Sequence, residues 1–256
     1  MSASSARRVT SAILAILAAP SAVLSPAQNA GGDGAISLEE IVVTARKVEE
    51  NLMDVPIAIT AFLSAEIESA GIKQLGDVML MTPGFNFVNQ QGSSGRNDRS
   101  ASSLVFRGLY LNLNTGLNAG GNLFIDGAPV LGAQPPAIVD VERIEVLKGP
   151  QSAYFGRSTF AGAINFVTRE PGQDVKGKVI AEVSSWSSYD VSGSFEGGLT
   201  DSITGRVTVR DFKRGGQYTN FTDSSGKKLG EQTTQSFSAA LVFKPSDSLK
   251  IKAYVN

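Results

Sequence analysis

The sequence predicts an α+β domain, a small mixed sheet with short helices, followed by the first strands of an antiparallel transmembrane β-barrel. Three observations carry this. Residues 48–172 mix short apolar runs with helix starts, turns and polar loops. Five segments between Lys176 and Asn256 alternate apolar and polar residues, the period of a strand with one apolar face. Between them, Arg143 to Pro171 reads as strand, tight turn, glycine-rich bend, strand and stop. That stretch marks the junction of two architectures.

Composition narrows the chemistry. The chain has 256 residues, with 23 basic and 24 acidic side chains, so it suits one or two domains and no bulk nucleic-acid partner. It contains no cysteine and no histidine. A disulfide framework, a histidine-based zinc site and a Ser-His-Asp triad are excluded within these residues. No metal, no cofactor and no enzymatic activity are expected. No internal segment reaches the ~18 apolar residues of a membrane helix.

Residues 1–27 read as a signal peptide. Arg7 and Arg8 form a positive start, and Val9 to Ala19 is an apolar stretch too short to span a bilayer. Ser25-Pro26-Ala27 suits signal peptidase and leaves Gln28 as the mature start. Residues 28–47 read as a flexible N-terminus: Gln28 to Ser37 is a polar, glycine-rich tether. Leu38 to Ala45, LEEIVVTA, then carries β-branched Ile41, Val42 and Val43, with Thr44 and Ala45 behind them and no partner strand nearby in sequence. An exposed β-prone segment on a tether suits strand addition to another protein's sheet edge. An ordinary edge strand of the following domain is the alternative.

Within residues 48–172 the elements follow in order. Val55 to Phe62 is a strand, and Ser64 to Glu68 begins a helix with Ser64 as its cap and acids at its positive end. Gly71 ends it. Ile72 to Met81 is a second helix, stopped by Thr82-Pro83-Gly84. Phe85 to Val88 and Leu104 to Arg107 are strands, the latter closing in Arg107-Gly108. Leu123 to Val130 is a hairpin whose turn is Asp126-Gly127. In the next strand Ile144 and Val146 share one face, and Arg143, Glu145 and Leu147 the other. Lys148, Gly149 and Pro150 end it. Gly156, Gly162 and Ala163 allow close backbone approach, and Ala163 to Thr168 is the last strand.

Arg107, Asp126, Arg143, Glu145 and Lys148 read as ion-pairing residues that hold this domain together or dock it on a wall. Nothing marks a convergent acid-base pair. Two polar loops, Asn89 to Ser103 and Tyr110 to Asn122, are long for plain connectors. Arg96, Asn97, Asp98, Arg99, Tyr110, Asn112, Asn114 and Asn118 supply donors, acceptors and an aromatic face. They suit a polar ligand or, equally, a solvated surface.

In the alternating region, residues 173–256, one face carries Val179, Ala181 and Val183, then Val191, Phe195 and Leu199, then Ile203, Val207 and Val209. Phe237, Leu241 and Phe243, then Leu249, Ile251 and Val255, continue it. Arg206 and Arg210 lie on the polar face, where they avoid the ~2–4 kcal/mol cost of a lipid-facing arginine. Connections at Thr200 to Ser202 and Pro245 to Ser248 are short, Ser184 to Asp190 is medium and Phe212 to Thr234 is long. Trp186, Tyr189, Tyr218 and Phe221 sit near strand ends, as interface aromatics do. A soluble β-sandwich also alternates. Closing a barrel takes about eight strands and plugged transporters use about 22, so the chain is expected to be an N-terminal fragment.

Arg143 to Pro150 (RIEVLKGP) and Gly156, Arg157, Ser158, Thr159, Gly162, Ala163, Ile164, Asn165, Val167 and Thr168 closely resemble the end of the plug domain of TonB-dependent outer-membrane receptors. Arg107-Gly108 resembles that family's VRG, and Ile41 to Ala45 its TonB box. The resemblance implies a signal peptide (1–27), a TonB box region (28–47) without a further signalling domain, a plug (48–172) and about five barrel strands (173–256). It implies active uptake of a scarce solute such as a metal chelate, most simply a ferric siderophore or similar iron complex, with a cobalamin or an oligosaccharide as the other candidates. The loop residues Arg96 to Asn118 would form the plug apex that meets it. The implied partners are TonB, through Ile41, Val42, Val43, Thr44 and Ala45, and outer-membrane lipid. A secreted or surface β-structured adhesin or hydrolase with a plug-like domain is the alternative.

Overall fold

The computed structural model describes residues 41–44, 47–48, 50–89, 102–109, 120–130, 138–139, 141–219, 221, 228–246 and 248–256. All of them lie in one compact unit, residues 40–256. In chain order the first part contains β1 (Val42–Val43), β2 (Glu50–Asn51), β3 (Ala58–Leu63), α1 (Ser64–Ser69), α2 (Leu75–Met81), β4 (Phe85–Asn89) and β5 (Ser102–Phe106). β6 (Gly121–Ile125), β7 (Ala128–Pro129), β8 (Val141–Lys148), α3 (Ser152–Phe155) and β9 (Gly162–Thr168) complete it. The second part contains β10 (Lys176–Ser184), β11 (Ser188–Thr200), β12 (Ile203–Arg214), β13 (Tyr218–Thr219), β14 (Lys228–Leu229), β15 (Gln232–Ser246) and β16 (Leu249–Val255).

The first part is built on a mixed sheet of order β3-β8-β9-β6-β7, in which only β6 and β9 run parallel. Its centre falls on β8 and β9 because these strands are buried on both faces. Ile144, Val146, Ile164 and Phe166 pack with Ile67, Leu75 and Val78 of the two helices. Leu147 and Ala163 pack on the other side with Phe124, Phe155 and Val43. Two facing glycines make room for one ring. Gly121 pairs with Gly162, and a Cβ would meet the Phe106 ring at 2.5 Å from Gly121 and 2.7 Å from Gly162.

Several local features differ from the sequence expectation. Ser64 is the first helical residue, not the cap; Leu63 takes the cap position and no side chain bonds there. The second helix starts at Leu75 rather than Ile72, because Asp77 accepts the backbone N–H groups of Lys73 and Gln74, both at 2.9 Å, and closes a capping box. β3 starts at Ala58, after Pro56, which has no N–H for a ladder. Asp126 and Gly127 form the expected hairpin turn, with φ of 48° and 77°. The helix α3 and the strand β2 were not foreseen.

The second part is an antiparallel meander of order β10-β11-β12-β15-β16. Its apolar face is bare: Val183, Phe195, Leu199, Phe237 and Ile251 are all exposed. Its polar face is covered: Ser192, Thr204, Arg206, Thr208, Arg210 and Ser238 are buried. That inversion is the signature of a sheet with lipid outside and a filled lumen inside. The sheet does not close in this chain. The medium connection predicted at Ser184 to Asp190 is a tight turn instead. Trp186 and Ser187 adopt φ of 62° and 59° there, and β11 starts at Ser188. Residues 215–231 form the long connection.

Candidate functional site

β1 lies against the buried side of β8 and β9. Val42 and Val43 pair with Asn51 and Glu50, so a partner strand does lie nearby in sequence, contrary to expectation. Val43 is fully buried in the cluster that holds Leu147 and Ala163. Beyond it the chain meets a buried carboxylate. Thr44 donates its backbone N–H to Glu145 Oε1 at 2.8 Å, and its hydroxyl lies 3.0 Å from both carboxylate oxygens. Arg143 Nε donates to the same Oε1 at 2.8 Å. Asn165 Nδ2 donates to Glu145 Oε2 at 3.1 Å, and its Oδ1 accepts from Gly127 N at 3.0 Å.

Glu145 has no exposed surface, so this network supplies what water no longer can. It explains why the Arg143–Glu145–Leu147 face is buried: residues 101 positions upstream cover it. Charge-assisted bonds of this kind contribute about 1.5–3 kcal/mol each. The covering segment is short and paired on one side only. It is held by these polar bonds, by Val43 and part-buried Ile41 in the same apolar cluster, and by its pairing with β2.

The same end of the sheet is clamped to the second part. Asp126 accepts from Thr168 N at 2.8 Å and Thr168 Oγ1 at 2.7 Å. Lys252 of β16 reaches Asp126 at 3.1 Å and the Thr168 carbonyl at 3.0 Å. Glu170 pairs with Lys250 at 2.7 Å and Lys244 at 3.7 Å. Burial alone would raise the Glu170 carboxyl, but the Lys250 hydrogen bond and the charges of Lys250, Lys252 and Lys244 leave it below the usual range. A cavity of about 440 Å³ opens here, between Thr44, Asp126, Asn165 and Lys252.

The helix side is clamped separately. Asp190 of β11 receives a bidentate Arg210 at 2.8 and 2.7 Å. Lys73, between α1 and α2, reaches Asp190 at 3.1 Å and Glu182 at 2.7 Å. Lys178 pairs with Glu68 of α1 at 2.5 Å. Arg206 pairs with Glu196 at 2.5 Å within the sheet.

The structure thus brings Val42, Val43, Thr44, Arg143, Glu145, Asp126 and Gly127 together. It does not bring all the expected ion pairs. Lys148 instead donates to Thr60 Oγ1 at 3.1 Å. Arg107 is exposed and uses its backbone, donating to Gly84 O at 2.7 Å. Gly108 follows it at φ 79°. Arg157 is exposed, Gly149 donates to Ala161 O at 2.8 Å ahead of Pro150, and Gly156 caps α3 at φ 78°. Ala45, Arg96, Asn97, Arg99, Tyr110, Asn112, Asn114 and Asn118 lie outside the described residues. Asn165, Lys73, Asp190 and Lys252 were not singled out as site residues. Only Asn165 carried a signal, as a polar residue inside the apolar run GAINFV.

Comparison with known proteins agrees with this geometry. Residues 51–163 match the family model for the TonB-dependent Receptor Plug Domain. The pesticin receptor of Yersinia pestis is 30% identical over 172 residues, 66% of this chain and 24% of the relative. The vitamin B12 transporter BtuB of Photobacterium profundum is 28% identical over 207 residues, 77% of this chain and 31% of that protein. The chain therefore spans about a quarter to a third of these relatives. Among solved structures, the ferric yersiniabactin uptake receptor FyuA of Yersinia pestis superposes with a TM-score of 0.66 at 26% identity, covering 75% of this chain and 29% of that one. The pyoverdine outer membrane receptor FpvA of Pseudomonas aeruginosa gives 0.65 at 20% identity, with 83% and 29% covered, a likeness of fold. A plug-type domain whose sheet is sealed by an N-terminal strand, beside barrel strands with a bare apolar face, agrees with that match: residues 51–163 are a plug domain of the TonB-dependent receptor family.

Proposed function

We propose that this chain is part of an outer-membrane receptor that takes up a scarce solute actively, most simply a ferric siderophore or similar iron complex. The observation that carries this reading is the seating of Thr44 on buried Glu145. It keeps Val42 and Val43 parked on the plug, where they are unavailable to a partner strand. Solute bound at the outer face shifts the balance toward the released segment. TonB in the periplasm then takes Ile41 to Thr44 as an added strand and pulls, and the plug rearranges to open a path. No bond in the solute is made or broken. The wall strands stand in outer-membrane lipid, with their bare apolar face outward.

The iron-complex reading draws on the names of the similar structures, a ferric yersiniabactin uptake receptor and a pyoverdine receptor. A cobalamin is the second candidate, since BtuB relatives are of comparable identity. The test is Val42→Pro in the full-length receptor. Proline removes the N–H that strand addition uses. Uptake should be lost while solute binding at the cell surface is retained. Wild-type uptake by that variant would refute the role of the segment.

A further inference from the structure

A second cavity, of about 310 Å³, lies between α1, the α1–α2 connection and strands β10 to β12. That size is at the small end of ligand pockets. Its walls are strongly charged. Lys73 and Arg210 share Asp190 and Glu182, Lys178 takes Glu68, and Arg206 takes Glu196. Among the described residues, four carboxylates thereby face these four cations. Arg169, which also lines the cavity, is the fifth cation. No hydrogen bond or ion pair of its side chain is formed among the described residues, and it is half-buried. It directly follows Thr168, whose carbonyl is fixed by Lys252, so its backbone is anchored.

We infer that this cavity binds an oxyanion, a carboxylate or phosphate-type group, with Arg169 as the recognising residue. The guanidinium offers a planar fork that fits such a group bidentately. The cavity also lies on a seam that can part. The Lys73–Glu182 and Lys178–Glu68 pairs joining α1 to the wall are substantially exposed, and exposed pairs hold weakly. The Arg210–Asp190 pair within the wall is buried. Lys73 also reaches buried Asp190, and Arg210 Nη1 donates to the Lys73 carbonyl at 3.3 Å, so the seam parts first at Lys178–Glu68 and is held longest at Lys73. The binding site stands on the cavity itself; only the identity of its occupant rests on the uptake reading.

The test uses the full-length receptor purified in detergent, with inorganic phosphate as the probe in titration calorimetry. Wild type should bind phosphate saturably. Arg169→Gln should weaken binding at least about tenfold, as loss of charge-assisted bonds does, and Arg169→Lys should fall between. Thermal unfolding checks that each variant is folded, and Arg169→Lys serves if Arg169→Gln is not. Absence of saturable binding in wild type, or equal affinity in the folded variants, overturns the site. Uptake then identifies the occupant. If Arg169→Gln slows uptake of a carboxylate-bearing solute at unchanged surface binding, the solute's own group occupies the cavity. If phosphate binding falls and uptake does not, the free anion occupies it. Absence of solute uptake by the wild-type receptor would instead sink the transport reading and leave the phosphate result standing, whereas normal uptake by Val42→Pro would sink only the role of the N-terminal segment.

Discussion

Thr44 and Glu145 are joined by the Thr44 backbone N–H and hydroxyl, at 2.8 and 3.0 Å, across 101 residues of sequence. These bonds tie the segment proposed to reach TonB to strand β8 of the plug sheet. Thr44→Val removes the hydroxyl and leaves the backbone donor. It should weaken the seating by about 1 kcal/mol, roughly fivefold in population. A spin label at Ile41 should report a larger mobile fraction, with the plug's thermal unfolding little changed.

Glu145→Leu tests the other partner. Arg143 and Asn165 would lose their acceptor in a buried site. Breaking a buried charge pair from one side costs about 3–5 kcal/mol. This variant should destabilise the plug itself, seen as increased protease cleavage in purified receptor. Equal stability would mean that Glu145 is solvated in the working protein.

Gly162→Ala should also be severe. The added Cβ would lie 2.6 Å from the Leu147 carbonyl oxygen and 2.7 Å from the Phe106 ring, and overpacking of this kind costs about 1–3 kcal/mol. Phe106→Leu in the same chain should recover part of the loss, which a double-mutant cycle measures.

The clamp at Glu170 has a defined pH dependence. Its carboxyl is held below the usual range in the folded protein, so the folded state binds fewer protons than the unfolded one. The contribution is full above about pH 4.3 and is lost as pH falls through the lowered folded value. Glu170→Gln should therefore unfold at lower temperature than wild type at neutral pH and converge with it in acid. A gap that does not narrow as the pH falls below about 4.3 would contradict the assignment.

The wall strands were legible in the sequence because period-2 alternation is local: Ile203 to Arg210 placed Arg206 and Arg210 on the covered face without any knowledge of what covers it. The sheet core was legible from β8 and β9 for the same reason. Burial of Glu145 was not, since its cover comes from Val43 and Thr44, far away in sequence. The helix start at Leu75 was missed because a side chain, Asp77, decides it. Lys73 and Asp190 meet only in three dimensions, and neither stands in a motif. The structure shows Ile41 to Thr44 seated against the folded domain, with Val42 and Val43 paired as a short strand; the release proposed above would make the same stretch available to a partner.

The Thr44–Asn165 contact allows the most direct test of release. Thr44 Oγ1 and Asn165 Nδ2 are 3.2 Å apart, so cysteines placed there face each other and can be bridged where their Cα atoms come within the ~4.4–6.8 Å that a disulfide spans; these 256 residues contain no cysteine of their own. Thr44→Cys with Asn165→Cys, installed in the full-length receptor, fixes the segment on the plug when oxidised and frees it when reduced. Solute uptake by cells carrying it is the measurement. Release before transport predicts that the oxidised receptor binds solute at the surface but does not import it, and that reduction restores import. Import at the same rate with the bridge demonstrably formed would contradict the account.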